Sequence, residues 1–241
     1  METEKRPLII GAGGLLEKEE TGRIDETLGS LREYGCITYG VKFSAICRDG
    51  DTLVCPISFA WIGDVKATVE TALNDERIDK KRIGIIASSL GATMMDYFIA
   101  RDHTLAEGLG PYTAISPFAR LNRQLVPAIQ KFQERKQDLD LSSAYDKERG
   151  IKRVIPYSNL DIILDLDSTA ELEKRSRIYH INPLTIIGVK DDRCDIEAMK
   201  KRHEILDGKS ENLLQHNCGH AIPQQEIEKD IVQFIKNNFN I

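Results

Sequence analysis

Two adjacent serines, Ser88 and Ser89, stand in "RIGIIASSLGATMMDYFIA", residues 82 to 100, where an apolar β-branched segment passes into a helical pattern without a turn-length loop. A hydroxyl at such a junction can accept hydrogen bonds from the free amides of the first helical turn and so cap the helix. It can also be a nucleophile, exposed above a sheet edge by a strained strand-to-helix turn. The second use needs small residues two before and two after the serine, because the backbone approaches closely there. Ser89 has Ala87 and Gly91 at these offsets, with alanine where the usual G-x-S-x-G has its first glycine, whereas Ser88 would put Leu90 at the later one. Ser89 is the preferred candidate, and this segment alone leaves the capping role open.

A serine hydroxyl attacks only when a base takes its proton, and an imidazole does this well when a third group fixes its tautomer. Two carboxylates, Asp191 and Asp192, follow the apolar run "PLTIIGV" in "GVKDDRCD". That places them at the C-terminal edge of an expected strand, where ligand sites of α/β sheets gather. His220 follows the last expected strand in "NLLQHNCGHAI", with His216 at the edge of that strand as its rival. His103, His180 and His203 lie in polar contexts away from strand ends. Ser89, one of the carboxylates Asp191 and Asp192, and His220 therefore read as nucleophile, acid and base of an acyl-transfer triad, each just past a strand.

Short apolar runs alternate with amphipathic segments to position these residues. "PLIIGAGG", "CITYGVKF", "RIGIIAS", "YTAISPF", "PLTIIGV" and "NLLQH" read as strands. Between them, "ETGRIDETLGSLREYG", "WIGDVKATVETALND" and "LGATMMDYFIARD" carry apolar residues at helical spacing, and "IPQQEIEKDIVQFIKNNF" closes the chain the same way. A polar loop is expected between the second strand and the helix at Trp61. This alternation predicts an α/β fold, a mostly parallel sheet with helices on both faces. The interval from about Ala119 to Tyr179 breaks the rhythm, being richly charged yet holding apolar helical candidates at Leu125, Ile129 and Phe132. It is too long for an ordinary connection and reads as a helical insertion, with a cap over a binding site as its possible role. No repeat or low-complexity linker divides residues 1–241, so one domain is expected.

Composition excludes several function classes. The 241 residues are 41% hydrophobic, enough for a large core, and 38 acidic against 33 basic residues give a net charge of −5. No basic run could track a phosphate backbone or an anionic membrane surface, so neither nucleic acid nor membrane is an expected partner. The N-terminal stretch "METEKRPLIIGAGG" has neither a signal-peptide core nor a membrane span, which makes a cytoplasmic protein the expectation. Cys36, Cys47, Cys55, Cys194 and Cys218 show no zinc spacing and read as reduced, mostly packing residues, with no metal and no cofactor expected.

The chain also resembles the α/β-hydrolase superfamily from Leu8 to Phe239. "IGIIASSLGA" looks like its nucleophile elbow, "IIGVKDDRCD" like its G-x-x-D segment and "NCGHAI" like its final G-H segment. The resemblance implies Asp191 as the acid, a lid at about 119–179, and a compact form that starts at the family's third strand. It implies an oxyanion hole from the amide of Leu90 and, by laying "LIIGAGG" on the family's H-G-x loop, that of Gly13. Glycines that merely turn the chain would read the same way. The implied activity is a serine hydrolase cleaving a carboxylic ester or related small-molecule acyl substrate through an acyl-enzyme. The elbow is also similar to that of the acyl-carrier-protein thioesterases of bacterial bioluminescence, which makes a thioester the alternative substrate. A catalytically silent binding protein on the same fold is the alternative from another class.

Overall fold

The computed structural model of the chain describes residues 4–14, 24–44, 46–102, 109–142, 150–174 and 180–241. In chain order these form β1 (Arg6–Ala12), α1 (Ile24–Glu33), β2 (Ile37–Gly40), β3 (Cys47–Asp49), β4 (Thr52–Val54), α2 (Trp61–Leu73), β5 (Ile78–Ser88) and α3 (Ser89–Arg101). Next come β6 (Leu109–Ile115), α4 (Val126–Glu134), β7 (Leu139–Asp140), β8 (Lys152–Ile155), α5 (Leu160–Asp165) and α6 (Ser168–Lys174). The chain ends with β9 (Leu184–Gly188), α7 (Ile196–Ile205), β10 (Leu213–His216) and α8 (Gln224–Phe239). Six strands pair in parallel in the order β10-β9-β6-β5-β1-β2. All six expected strands are in this sheet.

Successive residues of the inner strands feed opposite faces, which is why these strands are apolar throughout rather than alternating. Leu8, Ile10, Ile85 and Ala87 join the core under α2 and α3, with Trp61, Val65, Val69 and Met94. Ile9 and Ile86 point the other way, into a core closed by Ile24 and Leu28 of α1 and Ile227, Ile231 and Ile235 of α8.

The region expected to be a polar loop before α2 instead forms the β3–β4 hairpin. It belongs to a second sheet, β3-β4-β8-β7, in which β4 runs parallel to β8 with Thr52 opposite Lys152. The interval from Ala119 to Tyr179 is therefore not purely helical: β7 and β8 join α4, α5 and α6 in its described part. Strands of two to four residues are too short to show a period-2 pattern. Their pairing also joins segments about a hundred residues apart, which no local pattern reports.

Helix α7 also escaped the periodicity reading, because its buried face carries Arg202 and His203 beside Ala198 and Met199. Arg202 is fully buried and forks onto Asp96 of α3, Nε to Oδ2 at 2.6 Å and Nη2 to Oδ1 at 2.7 Å. The Tyr112 and Ser168 hydroxyls donate to the same carboxylate at 3.0 Å each, so β6, α3, α6 and α7 meet on one ion pair. Arg202→Met would strand that carboxylate in the core, and a loss of about 3–5 kcal/mol in urea unfolding is expected. Replacing Asp96 by leucine in the same chain should recover much of it.

Candidate active site

The last residue of β5 and the first of α3 are the two serines. Ser88 is extended, with φ −126° and ψ 149°, and makes no side-chain capping bond to the helix. Ser89 turns into the left-handed region at φ 46°, a conformation costing a non-glycine residue about 1–3 kcal/mol. The small neighbours that the sharp turn requires are in place: a Cβ on Gly91 would run into the carbonyls of Ala12 and Gly13, and one on Gly14 would lie 2.8 Å from the Ser89 Cβ. Ala87 is fully buried, with its methyl accommodated in the core. The Ser89 carbonyl accepts from the Phe118 amide at 3.1 Å, tying the elbow to the loop after β6.

His220 lies beyond β10, and its loop is held against the loop after β9. The Val189 amide donates to the His216 carbonyl and the Lys190 amide to that of Cys218, both at 2.9 Å. Gly188 is glycine because a Cβ there would strike the Gly219 carbonyl. The loops bring three side chains into one chain of hydrogen bonds. His220 Nδ1 lies 2.7 Å from Asp191 Oδ2, and His220 Nε2 lies 2.8 Å from Ser89 Oγ. Asp191 Oδ1 is occupied by the amides of Arg193 at 2.9 Å and Cys194 at 3.1 Å. The Asp191 side chain is wholly buried and His220 is 12% exposed.

Burial pushes the Asp191 carboxyl up, yet the hydrogen bond and charge of His220 and the two amides outweigh it and hold its pKa below the usual value. Asp191 is thus ionised at neutral pH and can only accept, so Nδ1 carries the imidazole proton and Nε2 is left to accept from the Ser89 hydroxyl. That is the tautomer a general base requires.

Other candidates fall elsewhere. His216 Nδ1 faces Glu226 at 3.4 Å, His180 pairs with Asp207 at 3.0 Å on the surface, and His103 lies outside the described residues. His203 is buried between the Thr185 hydroxyl and the Lys209 carbonyl, each at 2.9 Å, and burial depresses its pKa. Asp192 is exposed beside the site. Asp195 caps α7 by accepting from the Ala198 amide and also receives Arg120 at 2.6 Å. Gly13 directly follows β1 with its carbonyl against Gly91, and Leu90 opens the first turn of α3 after the serine.

The sequence reading missed Cys194, whose Sγ lies 3.5 Å from His220 Nδ1. Burial above all raises its thiol pKa well above the ordinary value, so it is a neutral neighbour of the imidazole. Ligand atoms of Asp191, Cys194 and His220 lie within 4.8 Å of one another, a sulfur, nitrogen and oxygen set that zinc could use. Here Asp191 and His220 already satisfy each other. The other cysteines are free: Cys36 and Cys55 are buried, Cys218 is half-buried, and Cys47 is exposed rather than packed.

A cavity of about 300 Å³ opens beside Ser89 and His220. Its walls come from Phe118 and Leu121, from Ile129 and Phe132 of α4, and from Leu139 and Ile155 of the second sheet. The residues from 117 to 122 are fixed by the isolated bridges Arg120–Asp167 and Leu121–Cys194. The cavity is apolar except at its serine end.

No protein-family model matches the chain, and no curated protein sequence matches it. Solved structures do. The monoacylglycerol lipase of Paleococcus ferrophilus is 15% identical, with 98% of this chain and 97% of that one covered at a TM-score of 0.66. A soluble variant of monoglyceride lipase from Saccharomyces cerevisiae, solved with a substrate analog, is 13% identical over 97% of this chain and 88% of that one, at 0.64. An esterase of Pyrococcus furiosus is 17% identical over 97% and 82%, at 0.61. Among the described residues no helix is long and apolar enough to cross a membrane. Sheet order, strand-end site and these neighbours agree: the chain has the α/β-hydrolase fold.

Proposed function

We propose that this protein is a serine hydrolase that cleaves a carboxylic ester through an acyl-enzyme. The observation that carries this reading is the hydrogen-bond chain from Ser89 through His220 to Asp191, with its serine held at positive φ beside an apolar cavity. Names of the structural neighbours, esterase and monoglyceride lipase, support the same class. His220 Nε2 takes the Ser89 proton as Oγ attacks the ester carbonyl, and the imidazolium that forms is stabilised by the Asp191 carboxylate. The oxyanion is assigned to the amides of Leu90 and Gly13, each such donor being worth roughly 10²–10³-fold in kcat. His220 then protonates the leaving alcohol, and repeats the cycle with water to release the acid.

Labelling of the folded protein by a fluorophosphonate probe tests this reading. Probe attachment at Ser89 supports it, whereas a folded protein that is not labelled at any serine would favour a silent binding role.

In the same reading, the interval from 119 to 179 acts as a lid whose apolar side chains hold the acyl group. Each methylene that the cavity buries contributes about 0.8 kcal/mol, close to fourfold in kcat/KM. Across p-nitrophenyl esters of rising chain length, kcat/KM should climb until the cavity is full. Phe132→Ala enlarges the wall and should move the optimum to longer chains, with little change toward the acetate. Equal effects on every ester would make Phe132 structural only.

A further inference from the structure

Arg193 lines the cavity and takes no part in the hydrogen-bond chain from Ser89 to Asp191. Among the described residues lining the cavity, only Ser89, His220, Asp192 and Arg193 are polar. Arg193 is half-buried, and its backbone is fixed on both sides: its amide donates to Asp191 Oδ1 at 2.9 Å, and its carbonyl accepts from the Asn122 amide at 2.9 Å. Among the described residues its guanidinium has no carboxylate and no hydrogen-bond partner. Arg120, in the loop after β6, is by contrast taken up by Asp195 and Asp167. A guanidinium is a rigid fork of five donors suited to carboxylate or phosphate oxygens. Asp192, which also lines the cavity, is exposed, so water screens its charge, while the half-buried Arg193 acts in a lower dielectric.

We infer that Arg193 is a specificity residue that favours acyl esters whose leaving group carries an anion, a carboxylate or a phosphate. The inference rests on the hydrolase reading above. The acyl chain lies along the apolar wall, and the leaving group departs at the polar end, where His220 protonates it and Arg193 pairs with its charge.

The test compares kcat/KM for 4-(octanoyloxy)benzoate with that for its neutral isostere 4-(octanoyloxy)benzamide, with 4-(octanoyloxy)phenyl phosphate as a third arm. The wild-type protein should prefer the carboxylate over the carboxamide by about tenfold, the typical surplus of a charge-assisted hydrogen bond over a neutral one. The phosphate arm shows which anion fits better. Arg193→Gln should bring both anion-to-neutral ratios close to one, Arg193→Lys should restore part of them, and Asp192→Asn should raise them. High salt should lower the wild-type ratios. Wild-type ratios near one, or ratios unchanged in a folded Arg193→Gln protein, would overturn the inference while leaving the hydrolase reading intact. Failure to hydrolyse any of the three esters, together with no fluorophosphonate labelling, would overturn both.

Discussion

Ser89→Ala is expected to abolish fluorophosphonate labelling and to lower kcat by up to about 10⁶-fold, the loss seen when the nucleophile of a Ser-His-Asp triad is removed. The size follows from the geometry. Its Oγ is the serine oxygen bonded to His220 Nε2, at 2.8 Å, while Ser88 closes β5 and is buried. Alanine at 89 keeps the Cβ that fits against Gly14, so the thermal midpoint should change little. Steady-state turnover of a p-nitrophenyl ester, with the melting curve as a control, checks this. Undiminished turnover would remove the proposed mechanism, and a loss confined to Ser88→Ala would move the nucleophile by one residue.

The second large effect is expected at the acid. In Asp191→Asn the amide oxygen should stay where Oδ1 now accepts from the amides of Arg193 and Cys194, since the NH₂ group cannot accept there. The NH₂ then faces His220 Nδ1, which must become the acceptor, and the imidazole proton moves to Nε2. The base then offers Ser89 a proton instead of taking one, and kcat should fall roughly 10⁴-fold, as in other triads carrying this change. His220→Ala should lose most activity as well, whereas His216→Ala, at a residue that faces Glu226, should retain most of it. Asp192→Asn should cost far less than Asp191→Asn; the reverse order would shift the register of the acid by one.

The same substitution has a pH signature. The native Asp191 carboxyl is held below its ordinary value of 3.8, so its contribution to stability is present above that value and is lost as pH falls through the lower native one. Denaturation midpoints of wild type and Asp191→Asn should therefore converge on acidification below 3.8.

Local chemistry in the sequence determined much of this site. An apolar run ending in "ASSLG" permits a sharp strand-to-helix turn, because its small residues tolerate the close approach that Gly91 makes to Ala12 and Gly13. The inner strands, buried on both faces, are mostly apolar where they cross the core, which made them legible. The edge strands β2 and β10 are only partly buried and were legible from their short apolar runs, and Ser89, Asp191 and His220 lie at or just beyond strand ends. The tertiary structure decided what depends on contacts between distant segments. The choice between Asp191 and Asp192, or between His220 and His216, rests on which side chain each loop turns inward, and that is set by bonds such as Lys190 to Cys218 across two loops. The second sheet pairs β4 with β8 through strands of three and four residues, too short to carry a pattern of their own. Arg202 and His203 hid α7 because each reads as a surface residue until Asp96, Thr185 and Lys209 supply buried partners. Cys194 and Arg193 gained their places beside the site in the same way: their types are ordinary in a loop, and only the folding of that loop brings them against His220 and the cavity.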